Sequence, residues 1–263
     1  MQAGPLIGIG FALFAILFGN FLEGGQIKAI LGGPAMLIVL GGTMGAVMVQ
    51  YPFSTLLGAL KAAGGTFKKS KLDGSKLVDE LVDYANRARR DGILALEKVT
   101  PSDPFLAKAL AMAIDGADSN AIRDTMETTL GQQEEHGEDA AKVFEAMGGY
   151  SPTVGIIGAV LGLIKVMSNL SDVGAVGEGI AAAFVATIYG VMIANIFFLP
   201  IAGRIKLGLR EEITLREMTL VGVLAIQEGT NPKLIRDRLV EFVHTSDAKH
   251  KAAPAPAAAR AEA

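Results

Sequence analysis

The sequence predicts an all-α, polytopic membrane protein with four transmembrane helices and a helical cytoplasmic domain. Three observations carry that prediction. Four runs of about 20 apolar residues stand in the chain, the length an α-helix needs to cross hydrocarbon. Hydrophobic residues make up 51% of the sequence, too many for an ordinary soluble domain. No segment of any length alternates with the period of a strand. Buried helices of a large soluble protein are the alternative, but four such runs in 263 residues would leave too little polar surface to cover them.

The first run covers about Leu6 to Leu22. Its leader, MQAGPLIG, has no Lys or Arg, so it reads as a retained helix rather than a signal peptide. The second, about Ile30 to Val49, completes a hairpin over residues 1–50. The third, Pro152 to about Leu170, and the fourth, about Ile180 to Ile201, form another over residues 150–202. Lys165 is the one charge inside these runs. Hydrocarbon offers backbone groups no water, so each run must satisfy its own hydrogen bonds as a helix.

Basic residues set the orientation. Lys61, Lys68, Lys69, Lys71 and Lys76 follow the second run, and Arg204, Lys206 and Arg210 follow the fourth. The first short connection offers only Lys28, and the other has Asp172 and Glu178 with no base. Both termini and the long central loop are therefore expected in the cytoplasm.

The cytoplasmic mass comprises residues 51–149 and 203–245. SKLVDELVDYANRARR places Leu77, Val78, Leu81, Val82 and Ala85 on one helical stripe, with Asp73 or Ser75 as cap and Gly92 as interruption. After Pro101 and Pro104, PFLAKALAMAI resumes as a helix. A long helix from about Ser119 to Met147 leads into the third span, and another continues from the fourth through LREEITLREMTLVGVLAIQ. Residues 246–263, rich in Ala and Pro, read as a disordered tail.

Several classes of function are excluded. A net charge of −3 gives no bulk attraction to nucleic acid. Without cysteine there is no disulfide or thiolate chemistry. His136, His244 and His250 have no ligand spacing, and no catalytic triad, Walker or GxGxxG context appears. Neither an enzyme activity, a metal nor a cofactor is expected.

The remaining candidates lie in the spans. Gly4/Gly8, Gly41/Gly45 and Gly158/Gly162 are each four apart, a spacing that lets membrane helices pack closely, within the chain or against another. Pro152 reads as an ordinary helix-start proline, whereas Pro200 breaks a hydrogen bond near the end of the fourth span and acts as a kink or a hinge. Thr187 is a hydroxyl in mid-span: a back-bond to its own helix is the bland reading, the lining of an ion path the sharper one. Lys165 lies late enough in its span to snorkel to the interface. No Asp or Glu lies in the middle of any span, although an ion crossing a bilayer needs a carboxylate or an equivalent relay. Either the chain moves no ion, or a partner's helix brings the acid to it.

The stretches SPTVGIIGAVLGL and AAAFVATIYGVMIANIFFLPIAGRI resemble the third and fourth spans of the MotA/PomA stator subunits of the bacterial flagellar motor. ARRDGILALE and GVLAIQEGTNPKLIRDRL resemble their Arg-rich cytoplasmic segment and C-terminal helix, so that the likeness runs to about residue 243. The resemblance implies a homo-oligomeric, pentameric ring around two copies of a MotB-type single-span partner, which carries the ion-binding Asp. It implies contact with membrane lipid and with the rotor protein FliG. By motif position Arg89, Arg90 and Glu97 become rotor-facing charges; Arg89 and Glu97 would lie about 80° apart on an unbroken helix. Pro152 and Pro200 become ion-exit prolines, and Thr187 the hydroxyl near the ion site. Sodium-type members have Thr where this chain has Ala159, so the transported ion is expected to be H+, with Na+ the alternative. An ExbB/TolQ-like energiser of outer-membrane processes and a self-sufficient carrier of a neutral solute are the rival readings. The first is disfavoured by four spans with an inward N-terminus, the second by the absent acid.

Overall fold

The computed structural model describes residues 3–66, 72–168, 170–171 and 173–251. Lys68, Lys69, Lys71 and Asp172, used above for orientation, lie outside the described residues. Among the described residues the chain is helical, with no strand. It divides into two compact units: residues 1–69 with 136–207, and residues 70–135 with 208–263.

The first unit holds the apolar runs. Helix α1 (Ala3–Leu22) leaves large side chains such as Ile7, Phe11 and Phe14 exposed, as lipid contact requires. The second run is not one helix: a single turn, α2 (Ile27–Ile30), is separated from α3 (Gly33–Gln50) by Leu31 and Gly32 in extended conformation. The sequence Gly32-Gly33-Pro34 explains the break, since Pro34 is favourable only in the first turn of a new helix. Helix α4 (Phe53–Thr66) follows. The later part of α7 (Ser119–Met167) carries the third run. The fourth begins in α8 (Val173–Ile193), passes through a π-turn (Ala194–Phe198) and continues as α9 (Leu199–Gln227). Four of these helical stretches are long and apolar enough to cross a membrane. One buried cluster, with Val47, Leu56, Ala141, Phe144 and Ala202, and another, with Val39, Val185 and Tyr189, hold the unit together.

One expectation about proline needs correction. Pro152 does not start a helix; it lies inside the 49-residue α7. Its missing N–H leaves the Gly148 carbonyl without the usual partner, a defect tolerated where neighbouring helices hold the segment. Just before Pro200 the helix widens into a π-turn (Ala194–Phe198), which makes room for the proline ring beside the carbonyl four residues earlier and is itself a feature at which helices bend.

The second unit is built on α5 (Gly74–Asp91), a 3-10 helix (Ile93–Lys98), α6 (Pro104–Ile114), the start of α7, the later part of α9 and α10 (Pro232–Lys251). The predicted stripe of α5 is buried as expected, with Leu81 wholly enclosed beside Leu106, Met126, Met218 and Leu239. Each such side chain contributes roughly 1.5–3 kcal/mol of burial. Asp73 caps α5, and Asp103 caps α6 by accepting from the Phe105 amide at 2.8 Å. Arg236 of α10 pairs with Asp79 of α5 at 2.8 Å. The expected disordered tail differs at its start: α10 runs to Lys251, and residues 252–263 lie outside the described residues.

Candidate functional site

The third and fourth runs pack through glycine. A Cβ built on Gly155 would stand 2.9 Å from the Ala186 carbonyl oxygen, and one on Gly190 would stand 2.6 Å from that of Ser151. Gly158 and Gly162 likewise face the methyl groups of Ala186 and Ala183, at 2.9 and 3.0 Å from a built Cβ. The backbones therefore meet along a seam that only glycine and alanine allow. Of the three glycine pairs picked out in the sequence, Gly158/Gly162 packs inside the chain. Around Gly4, Gly8, Gly41 and Gly45 a Cβ would meet nothing within 4 Å.

Ser151 donates its hydroxyl to the Gly190 carbonyl at 3.0 Å, fully buried, and fastens one end of the seam. Tyr189 fastens the neighbouring helix. Its hydroxyl donates to the Ile30 carbonyl at 2.6 Å and accepts from the Gly32 amide at 3.1 Å, so it satisfies both backbone groups exposed by the break between α2 and α3. Neither Tyr189, Gly155 nor Gly190 was singled out in the sequence. A tyrosine inside an apolar run, which needs a partner for its hydroxyl, was the available signal.

Ala159 and Thr187 each follow a seam residue, Gly158 and Ala186, and so sit at one level of the hairpin, both half-buried. The Thr187 hydroxyl stands 3.4 Å from the Ala183 carbonyl, a long back-bond that leaves it weakly held. Pro152 lies in the same hairpin: its Cα would be 3.2 Å from a Cβ on Gly190. Gly148 approaches Leu199, the residue before Pro200, with 2.5 Å from a built Cβ to the leucine methyl. The structure thus brings Thr187, Ala159 and both prolines into one hairpin. Lys165 is exposed further along α7.

Arg89, Arg90 and Glu97 belong to the other unit. Gly92, with φ +83°, ends α5 in a conformation that favours glycine, and Glu97 falls on the 3-10 helix beyond it. The 80° offset expected for an unbroken helix therefore does not apply. All three side chains are exposed. Arg87 pairs with Asp83 at 2.8 Å, and Arg90 approaches Asp91 at 3.8 Å. Arg89 and Glu97 have no ion pair among the described residues. The segment is held from behind. Leu96 is buried, and the Glu80 carboxylate accepts from the Tyr84 hydroxyl at 2.8 Å and from the Ser102 amide at 2.9 Å. Burial first, then that hydrogen bond to Glu80, pushes the Tyr84 phenol well above its ordinary range. Among the described residues no group of three His, Cys, Asp or Glu could hold a metal ion.

The chain is similar to known proteins along almost its whole length. Residues 6–92 match the family model described as motility protein A N-terminal, and residues 97–218 that of the MotA/TolQ/ExbB proton channel family. It is 34% identical to motility protein A of Bacillus subtilis over 94% of this chain and 93% of that one. The chain belongs to the motility protein A family. Within it, the chemotaxis protein PomA of Vibrio alginolyticus is 31% identical, over 93% of this chain and 96% of that protein. Two solved structures share its fold. The C. jejuni MotAB structure superposes with a TM-score of 0.88 at 30% identity, covering 92% of this chain and 96% of that one. The flagellar MotAB stator complex from Bacillus subtilis does so with a TM-score of 0.85 at 34% identity, covering 94% and 99%. As a member of that family, the chain is a multi-pass inner-membrane protein of a stator and proton-channel family. The glycine seam lies within the residues matched by the proton-channel model.

Proposed function

We propose that this chain, a stator subunit of the bacterial flagellar motor that uses ion flow, supplies the wall of an ion path whose titratable group comes from a partner. The observation that carries the reading is the absence of any Asp or Glu from the middle of all four spans. The partner is a MotB-type single-span subunit that contributes an Asp, around which copies of this chain form a ring. Both termini and the second unit face the cytoplasm. Thr187 and Ala159 line the path, and Pro152 and Pro200 mark its cytoplasmic end.

Filling and emptying of the partner's Asp biases the ring to turn, and Arg89, Arg90 and Glu97 press on the rotor protein FliG. The family's description as a proton channel and the methyl group of Ala159, which offers no oxygen to a sodium ion, support H+ as the transported ion. The chain performs no covalent catalysis.

Reconstitution tests the reading. Liposomes holding this chain alone should show no cation conductance, and co-reconstitution with the partner should restore it. Conductance by the isolated chain would overturn the division of labour. Rotation speed should be insensitive to external sodium at a fixed proton-motive force; a speed that tracks sodium would overturn the assignment of the ion.

A further inference from the structure

The Gly4/Gly8 spacing of α1 is used by no packing within the chain, yet Gly8 opens onto a defined space. Helix α1, the π-turn and the start of α9 leave a cleft of about 260 Å³. Gly8, Ile9 and Ala12 line it from one side, Ile196 and Ile201 from the other. The lining from Asn195 in the fourth run to Arg204 beyond its end extends over about 13 Å at the rise of a helix. The Asn195 carboxamide donates to the Val191 carbonyl of its own helix, so most of this length presents apolar surface.

Arg204 gives the cleft its character. It is half-buried and lies three residues beyond the end of the fourth apolar run, and the end of a run long enough to cross hydrocarbon is where a span meets the headgroup region. Among the described residues it makes no hydrogen bond or ion pair, whereas Lys206, two positions on, is matched to Glu145 at 2.7 Å. A guanidinium keeps its charge at every relevant pH, and its planar fork fits two oxygens of a phosphate. A cation partly removed from water at the edge of hydrocarbon calls for an anion. A free phosphate would engage the arginine and leave the apolar walls bare; a phospholipid would use both.

We propose that this cleft binds one anionic phospholipid, its phosphodiester on Arg204 and one acyl chain laid along Gly8, Ala12 and Ile196. The site is distinct from the glycine seam and from Thr187 and Ala159, and it shares Pro200 with the cytoplasmic end of the proposed path. It makes the α1 side of the subunit responsive to the anionic lipid content of the membrane.

The test uses the full complex in nanodiscs, with spin-labelled phosphatidylglycerol or phosphatidylcholine as probe and the motionally restricted fraction as readout. The wild type should favour phosphatidylglycerol roughly fivefold, the effect of one basic residue at a membrane surface. Arg204→Gln should bring the two lipids to parity, Arg204→Lys should keep the preference, and Arg210→Gln, at an exposed base outside the cleft, should leave it unchanged. A Cβ on Gly8 meets no neighbour, so Gly8→Leu should fill the cleft without backbone strain and lower restriction of both lipids, even if the Arg204 variants fail to assemble. No preference in the wild type would overturn the proposal and mean that a neighbouring copy or nothing occupies the cleft. A preference untouched by both Arg204→Gln and Gly8→Leu would overturn it too. Displacement of the labelled lipid by inorganic phosphate would overturn it in favour of a free-anion site.

Discussion

Replacing Gly190 with alanine is the sharpest probe of the membrane unit. The added Cβ would lie 2.6 Å from the Ser151 carbonyl oxygen and 3.1 Å from the Gly155 Cα. Both obstacles are backbone, so no rotamer change relieves them. Ordinary contact at 3.4 Å requires the helices to part by about 0.8 Å, along a seam where a Cβ on Gly155 or Gly158 would also come within 2.9 Å of a neighbour. Overpacking of this kind costs about 1–3 kcal/mol. Separation also stretches the 3.0 Å hydrogen bond from Ser151 to the Gly190 carbonyl, which adds about 0.6–1.7 kcal/mol in a membrane. Helix propensity pulls the other way, since alanine is favoured over glycine by about 0.8–1 kcal/mol in a helix interior. The net expectation is destabilisation of about 1–4 kcal/mol. Thermal unfolding of the complex in detergent measures it, with Gly203→Ala as control, because a Cβ there meets nothing within 4 Å. The control should be neutral or slightly stabilising, and Gly190→Ala should melt several degrees lower and swim poorly. A Gly190→Ala complex as stable as the control would refute the close-seam reasoning.

Other outcomes follow from the same geometry. Tyr189→Phe leaves the Ile30 carbonyl and the Gly32 amide unpaired at the break in the second span, and should destabilise the complex by about 1–2 kcal/mol in the same melt without altering membrane insertion. Arg89→Glu or Glu97→Arg should impair swimming at unchanged protein level, while Arg87→Gln, at an arginine already matched to Asp83, should do so less; tethered-cell rotation with membrane quantification separates the cases. Pro200→Ala lets the π-turn relax toward a regular helix, and should slow rotation more than it reduces recovery of the assembled complex.

What the sequence revealed divides along physical lines. The spans and the stripe of α5 were legible because burial imposes a period or a length, and Leu81 or Phe14 cannot be exchanged freely for a charge. The cap at Asp73 was legible in part, beside Ser75, since local hydrogen bonding selects few residue types, whereas the cap at Asp103 emerged only from the structure. The break at Gly32 carried a local mark, Gly32-Gly33-Pro34, that the apolar run around it masked; what satisfies the broken backbone was hidden, because it depends on Tyr189, more than 150 residues away. Pro152 misled for the opposite reason. Its helix-start preference is a local rule, and α7 overrides it through the packing of Gly155 and Gly190, which only the folded hairpin displays. Among the glycine pairs, equal spacing concealed unequal roles, because spacing shows that close approach is allowed and not what approaches.

The seam also constrains where an ion could travel. Between the third and fourth spans the Gly155, Gly158 and Gly162 positions lack room even for a methyl group. A gap that excludes a methyl carbon excludes a water file, so no hydrated path runs through the interior of this hairpin along the seam. Thr187 and Ala159, by contrast, stand beside the seam and are only half-buried, with the Thr187 hydroxyl weakly engaged by its own helix. An ion that used Thr187 would therefore move along the outside of the hairpin, on a surface that one chain cannot close. In hydrocarbon such a path needs a second wall, and with no carboxylate among the mid-span residues the wall must bring one. The close glycine packing and the missing acid, independent in the sequence, thus support the same reading: a dry, rigid hairpin offers one side of a channel, and the partner completes it.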